Sequence, residues 1–233
     1  MKTLHLQQCP FSPESNDERR IKEGLDQLEI DEFTARMAAY LENVELPVIQ
    51  PITTIYPTSQ KFSEYKDLPY GKLGTIGGAG CGPLAIDYAL KVLGFSVAFE
   101  NIVDECVAKG YRAYLFNESD EIIGGAGSEH DLFDLAKKLE SGTEIISALQ
   151  KSQIVTVLIA NAIYTGDESR SGNHFITLIG IDEQENAVFM DGNKIVDPAI
   201  PEDALVRKPF RAIASGLRKA WAWDPEKVAR SLQ

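Results

Sequence analysis

The chain is poor in the residues that most often carry chemistry or cross-links. Its 233 residues include only three cysteines, three histidines, three methionines and two tryptophans. Cys9, Cys81 and Cys106 form an odd set with no Cys-x-x-Cys spacing, which excludes a disulfide framework and a structural zinc site as organising devices. There is no apolar run of the roughly 18 residues that a membrane span needs. The opening stretch MKTLHLQQCPFSPESNDERR lacks the apolar segment of a secretory signal, so a cytoplasmic protein is expected. Basic runs are missing as well, and 35 acidic against 23 basic residues leave a formal charge of −12. Nucleic acid and anionic membrane surfaces both require a basic footprint and are excluded as main partners. Internal repeats and low-complexity segments are absent, and no oligomeric state is legible.

What remains is an ordinary globular composition, 44% hydrophobic and 25% charged, enough for one large domain with an extension. The most informative stretch is GTIGGAGCGPLAIDYALKVLG, residues 74–94. Pro83 suits the first turn of a helix, where its missing N–H has no partner to lose, and Gly94 suits the stop. Between them Ile86, Ala89, Leu90 and Leu93 recur at helical spacing, with Ala85, Tyr88 and Val92 on the flanks. Such a helix is buried nearly all round. Asp87 and Lys91 form its one polar stripe, an i,i+4 pair in the favourable order. Cys81 falls at the start of this helix, where the positive end of the helix dipole favours a thiolate.

Elsewhere, residues 14–44 read as one or two helices, and Pro47, Pro51 and Pro57 then force extended chain. A boundary near residue 50 separates an N-terminal helical extension, 1–50, from a main domain, 51–233. Residues 58–80 are loop-rich. Helices are expected at 99–109, at 129–139 with Leu132, Phe133, Ala136 and Leu139 inward, and at 144–149. FNESDEIIGGAGS reads as an acidic, glycine-rich loop, and QIVTVLIA as a buried strand. VDPAIPEDAL reads as loop then helix, and RKAWAWD as a last strand with Trp221 and Trp223 on one face.

NHFITLIGIDEQENAVFMDGN reads as a hairpin, with strands at 174–181 and 187–191 around a turn at 182–186. A turn centred on residues 184 and 185 sets His174, Ile176 and Leu178 opposite Ile195, Asn193 and Asp191. His174, Asp191 and Asn193 then share one face, and a slip of one residue would separate them.

Cysteine catalysis needs a thiolate, a histidine to shuttle the proton, a residue to orient that histidine, and donors for an oxyanion. Cys81 lies between GGAG and GP, where its N–H and that of Gly82 at a helix start are free to donate. His174 lies at a strand mouth, where a side chain can reach a cleft. Bland alternatives stand beside these: a small buried hydrophobe for Cys81, a structural imidazole for His174, plain turn residues for Asp191 and Asn193. Cys106 reads as core, and His5, Cys9 and His130 as terminus or surface. A phosphate cradle at GGAGCG lacks both the glycine pattern and a following basic residue.

Together, QKFSEYKDLPYGKLGTIGGAGCGP, then ALQKSQIVTVLI, then HFITLIGIDEQENAVFMD resemble the C39-like peptidase family of papain-like cysteine proteases, over residues 60–191. The resemblance implies an α+β papain-like fold, with the nucleophile on a central apolar helix packed on an antiparallel sheet. It implies Cys81 as nucleophile, His174 as general base and Asp191 as orienting acid; the hairpin parity leaves Asn193 as an alternative third member. Gln60 falls where the family carries a glutamine, and Gln60 with Gly82 would line an oxyanion hole. Asp197, in a later Asp-Pro pair, is a rival third member on the opposite parity. The implied activity is hydrolysis of a peptide or amide bond in a peptide or protein substrate, without metal or cofactor. Acyl transfer, deamidation, isopeptidase activity and a non-catalytic binding module on the same fold are the alternatives. Tyr65, Leu84, Asn173 and Gly192 depart from the family's usual residues.

Overall fold

A computed structural model describes residues 16–42, 44–62, 64–108, 112–116, 122–127, 135–197 and 199–231. The first part of the chain supplies α1 (Asn16–Glu42), α2 (Ile76–Ala79), α3 (Cys81–Val92) and α4 (Phe99–Ala108). Next come strands β1 (Arg112–Phe116), β2 (Ile122–Gly127) and β3 (Ala136–Leu139), then α5 (Gly142–Gln150), β4 (Val155–Ala160) and α6 (Asn161–Thr165). The last part holds β5 (Asn173–Ile181), β6 (Asn186–Met190), a 3-10 turn (Pro201–Ala204), β7 (Leu205–Pro209), α7 (Phe210–Ala214), β8 (Leu217–Trp223) and α8 (Pro225–Ser231). The fold is α+β. Its centre is a six-stranded sheet in the order β3-β8-β4-β5-β6-β7, antiparallel throughout.

Both faces of this sheet are covered. β4 is buried along its whole length, which is why VTVLIA is apolar but for Thr156 rather than alternating. Leu158, Phe175, Trp221 and Trp223 pack under α3 and α4. Val155, Val157, Ile159, Ile176 and Leu178 pack on the other side with Phe33 and Met37 of α1, Ile145 of α5 and Phe210 of α7. The expected extension is thus joined to the sheet's core through the second half of α1. A charged clasp adds to this: Glu29 pairs with Lys138 of β3, and with Lys219 of β8 at 3.5 Å.

α3 forms as its pattern requires. Every residue from 82 to 90 is buried, Lys91 reaches Asp87 at 2.7 Å, and Thr58 donates to the same carboxylate at 3.1 Å. Gly94 ends the helical stretch at φ +82°, a conformation that costs glycine least.

Three expectations are corrected. Residues 129–134 lie outside the described residues, but Ala136–Leu139 is an edge strand on β8, not helix: AKKL consists of good helix formers, and pairing with the open edge of β8 overrides that preference. The stretch expected as an acidic loop supplies β2, which pairs with β1 in a two-stranded ribbon; its glycines hide the alternation that marks a strand. The end of VDPAIPEDAL, expected as helix, forms a 3-10 turn at Pro201–Ala204, and Leu205 opens β7.

The hairpin's register is the structural detail that positions the site. Next to the turn, Ile181 faces Ala187 and Gly180 faces Val188, one residue away from the expected register. A bulge at Ile179 then shifts the pairing again, so that Leu178 faces Phe189 and Thr177 faces Met190. The final register differs by two residues from the one expected, and the parity is the same. A second segment pairs with β5 at the bulge. Beyond the start of β4, residues 49–52 run alongside β5: Ile49 and Ile181 exchange two backbone hydrogen bonds (2.8 and 2.9 Å), and Ile52 N–H donates to Ile179 O at 3.2 Å. A Cβ on Gly180 would lie 2.7 Å from Ile49 O and 2.8 Å from Pro51, so glycine is what admits this crossing.

Candidate active site

Cys81 is the first residue of α3, directly after Gly80, where a Cβ would stand 2.6 Å from the carbonyl oxygen of Ile76. A Cβ on Gly77 would likewise meet Lys66 O at 2.6 Å. These two glycines therefore let the chain approach itself and fold the tight α2 to α3 corner. The first turn of α3 contains no acidic residue to oppose a thiolate. Among the described residues neither the Cys81 nor the Gly82 N–H has a partner, as expected at a helix start.

α3 packs against β5, which sets the partly exposed Cys81 beside the start of that strand. The thiol is hydrogen-bonded to the His174 ring and receives the Phe175 N–H. His174 is buried, and its Nε2–H donates to Asp191 Oδ1 at 2.6 Å, which leaves Nδ1 for the sulfur. Asp191 follows the last residue of β6, on the face that the bulge preserves. Its Oδ1 also accepts the Asn193 N–H at 2.8 Å, and its Oδ2 accepts the Tyr164 hydroxyl.

The charges follow from this packing. Burial pushes the Cys81 thiol up, but the hydrogen bond and charge of His174 and the Phe175 N–H outweigh it and hold the thiol below its ordinary range. Burial pulls His174 down, and its hydrogen bonds to Asp191 and Cys81 reverse this and push it up to about 10. Burial raises Asp191, while His174, Tyr164 and the Asn193 N–H together keep it below the usual carboxylate value. Between the lowered Cys81 value and about 10 the favoured state is thiolate beside imidazolium. Cys106 provides the contrast: fully enclosed, with Glu105 nearby, it is pushed far up and stays a thiol.

Other residues singled out in the sequence are arranged differently. Asn193 and Asp197 do not hold the imidazole: Asn193 Oδ1 accepts from Gln60, and exposed Asp197 caps its own turn through the Ala199 N–H at 2.9 Å. Gln60 is buried. Its Nε2 donates to Gly77 O and to Asn193 Oδ1, both at 3.1 Å, and its N–H donates to Gly192 O at 2.7 Å. Both amide protons are therefore taken within the protein, and Gln60 braces the turn after Asp191 against the segment before Cys81. Its Oε1 is buried without a partner among the described residues. His5, Cys9 and His130 lie outside the described residues.

Tyr164 is the site residue that sequence reasoning missed. It lies in a stretch that reads as polar and turn-rich but begins with α6, set between the end of β4 and the start of β5. A single aromatic in such a stretch, just after a buried strand, was the available signal. Among the described residues no group of acidic, cysteine and histidine side chains could hold a metal, and no helix is long and apolar enough to cross a membrane. Compared with known families and with curated proteins, the chain matches no family model and no curated relative.

Proposed function

We propose that the protein is a cysteine hydrolase of the papain-like kind, similar to C39-like peptidases, acting on a peptide or amide bond. The observation that carries this reading is the hydrogen-bonded row of Cys81, His174 and Asp191 at the N-terminus of α3. A cysteine used only as packing would not need an imidazolium beside it, nor the imidazolium a buried carboxylate. The Cys81 thiolate attacks the carbonyl carbon, and the oxyanion that forms lies near the free Cys81 and Gly82 N–H groups. His174 gives its proton to the departing amine as the tetrahedral centre collapses to a thioester. It then takes a proton from the water that attacks the thioester, releasing the acid and restoring the thiolate. Asp191 keeps the imidazole in one tautomer and orientation. A helix that delivers the cysteine to an antiparallel sheet, with histidine at a strand mouth, is the arrangement a papain-like fold would have.

The test is mass spectrometry of a mixed peptide and protein substrate treated with the wild-type protein and with Cys81→Ala. Cleavage by the wild type alone is the expected result. A gain of about one mass unit would indicate deamidation, and a new conjugate acyl transfer, each a different fate of the same acyl-enzyme. Products identical in the two samples would overturn the reading.

A further inference from the structure

Asp191 is only 5% exposed, so protein groups rather than water must fix its carboxylate. Its Oδ1 is occupied by His174 and the Asn193 N–H, and its Oδ2 takes the Tyr164 hydroxyl. The Tyr164 ring lies 5.2 Å from the His174 ring at a 40° tilt and meets Phe189 edge-on at 6.1 Å. Lys208 of β7 backs it from behind: its Nζ sits 4.4 Å from the ring centroid and donates to the Tyr164 carbonyl oxygen. One tyrosine thus touches both members of the pair and is itself clamped.

We propose that Tyr164 is a positioning residue for the Asp191 and His174 pair, its hydroxyl fixing the carboxylate oxygen that the imidazole leaves open. This rests on the reading of Cys81 as the nucleophile. With both oxygens engaged, the carboxylate cannot rotate without breaking a hydrogen bond, and Oδ1 stays aimed at Nε2. Burial and the Asp191 charge push the phenol far up, so it remains a donor across the neutral range. Among the described residues, the titratable and charged groups facing the pair are Cys81 from α3, Tyr164 from α6 and, behind it, Lys208 from β7. Without the hydroxyl the carboxylate swings, the imidazolium is held less well, and both limits of the thiolate and imidazolium window move inward.

The experiment is the pH profile of iodoacetamide alkylation at Cys81, read by peptide mass spectrometry, for wild type, Tyr164→Phe, Asp191→Asn and the double variant. Tyr164→Phe should narrow the window at both ends and slow alkylation on its acid limb by roughly three- to tenfold, the net effect of one ordinary hydrogen bond. In the Asp191→Asn background the same change should have little further effect, because no carboxylate is left to hold. A Tyr164→Phe profile matching the wild type would overturn the proposal while the acid-shifted wild-type profile left the Cys81 reading standing. An ordinary thiol profile in the wild type would overturn both. Equal effects in the two backgrounds, or a Phe variant that fails to fold, would also overturn it, because the hydroxyl would then serve the fold rather than the carboxylate.

Discussion

Gly180→Ala is expected to destabilise the protein, although the same change at a tolerant position would do the opposite. Gly180 does not have a positive φ. At such a site, exchanging glycine for alanine stabilises by about 0.4–1 kcal/mol, because the unfolded chain loses freedom. Here the added carbon would stand 2.7 Å from Ile49 O and 2.8 Å from Pro51 Cα and N, all of them backbone atoms. Relief requires residues 49–52 to move away from β5, which stretches the two Ile49 and Ile181 hydrogen bonds and the bond from Ile52 to Ile179. Overpacking of this kind costs about 1–3 kcal/mol, and the strained hydrogen bonds add to it. The entropy gain is smaller, so a net loss of about 2 kcal/mol is expected, or roughly 4–8 °C in melting temperature for a chain of this size. Thermal unfolding followed by circular dichroism measures it. A variant as stable as wild type, or more so, would refute the close approach of residues 49–52 at Gly180.

The other expectations concern charge. Asp191→Asn removes the partner that most strongly supports a charged His174, so its value should fall from about 10 toward the ordinary 6.5, and hydrolysis should drop by about a hundredfold or more; an unchanged NMR titration of His174 would contradict its orienting role. Glu29→Ala withdraws a carboxylate from Lys219, whose side chain is almost wholly buried. Since Glu29 is itself partly exposed, a loss of about 1–2 kcal/mol is expected in urea unfolding. Glu29 is held below its ordinary 4.5, so its contribution is complete above that pH and disappears as pH falls through the lowered folded value. An equal loss at all pH values would point to packing instead of charge.

The parts of the site that could be read from sequence are those set by local chemistry. Pro83, Gly94 and the apolar spacing define α3, and the strand mouth places His174, because each depends on neighbours a few residues away. The parity that puts Asp191 on the face of His174 was legible only in outline. The turn pairs Ile181 with Ala187, and that register continued would have moved Asp191 to the other face; the bulge at Ile179 restores it. The segment that lies along β5 there, residues 49–52, comes from far away in the chain and leaves no local trace except Gly180. Ala136–Leu139 was misread because a strand at an edge is made by its partner, here β8, rather than by its own propensity. Tyr164 escaped because its role exists only once α6 folds back over Asp191.

The central claim is that Cys81 is ionised beside a charged His174, and the most direct measurement is its alkylation rate against pH, compared with Cys106 in the same molecules. Cys81 should react well below the ordinary thiol value of 9.0, hold a plateau, and change again as His174 loses its proton near about 10. Cys106 should stay nearly inert throughout. A Cys81 rate that rises only near 9, like a free thiol, or that matches the slow rate of Cys106, would contradict the account.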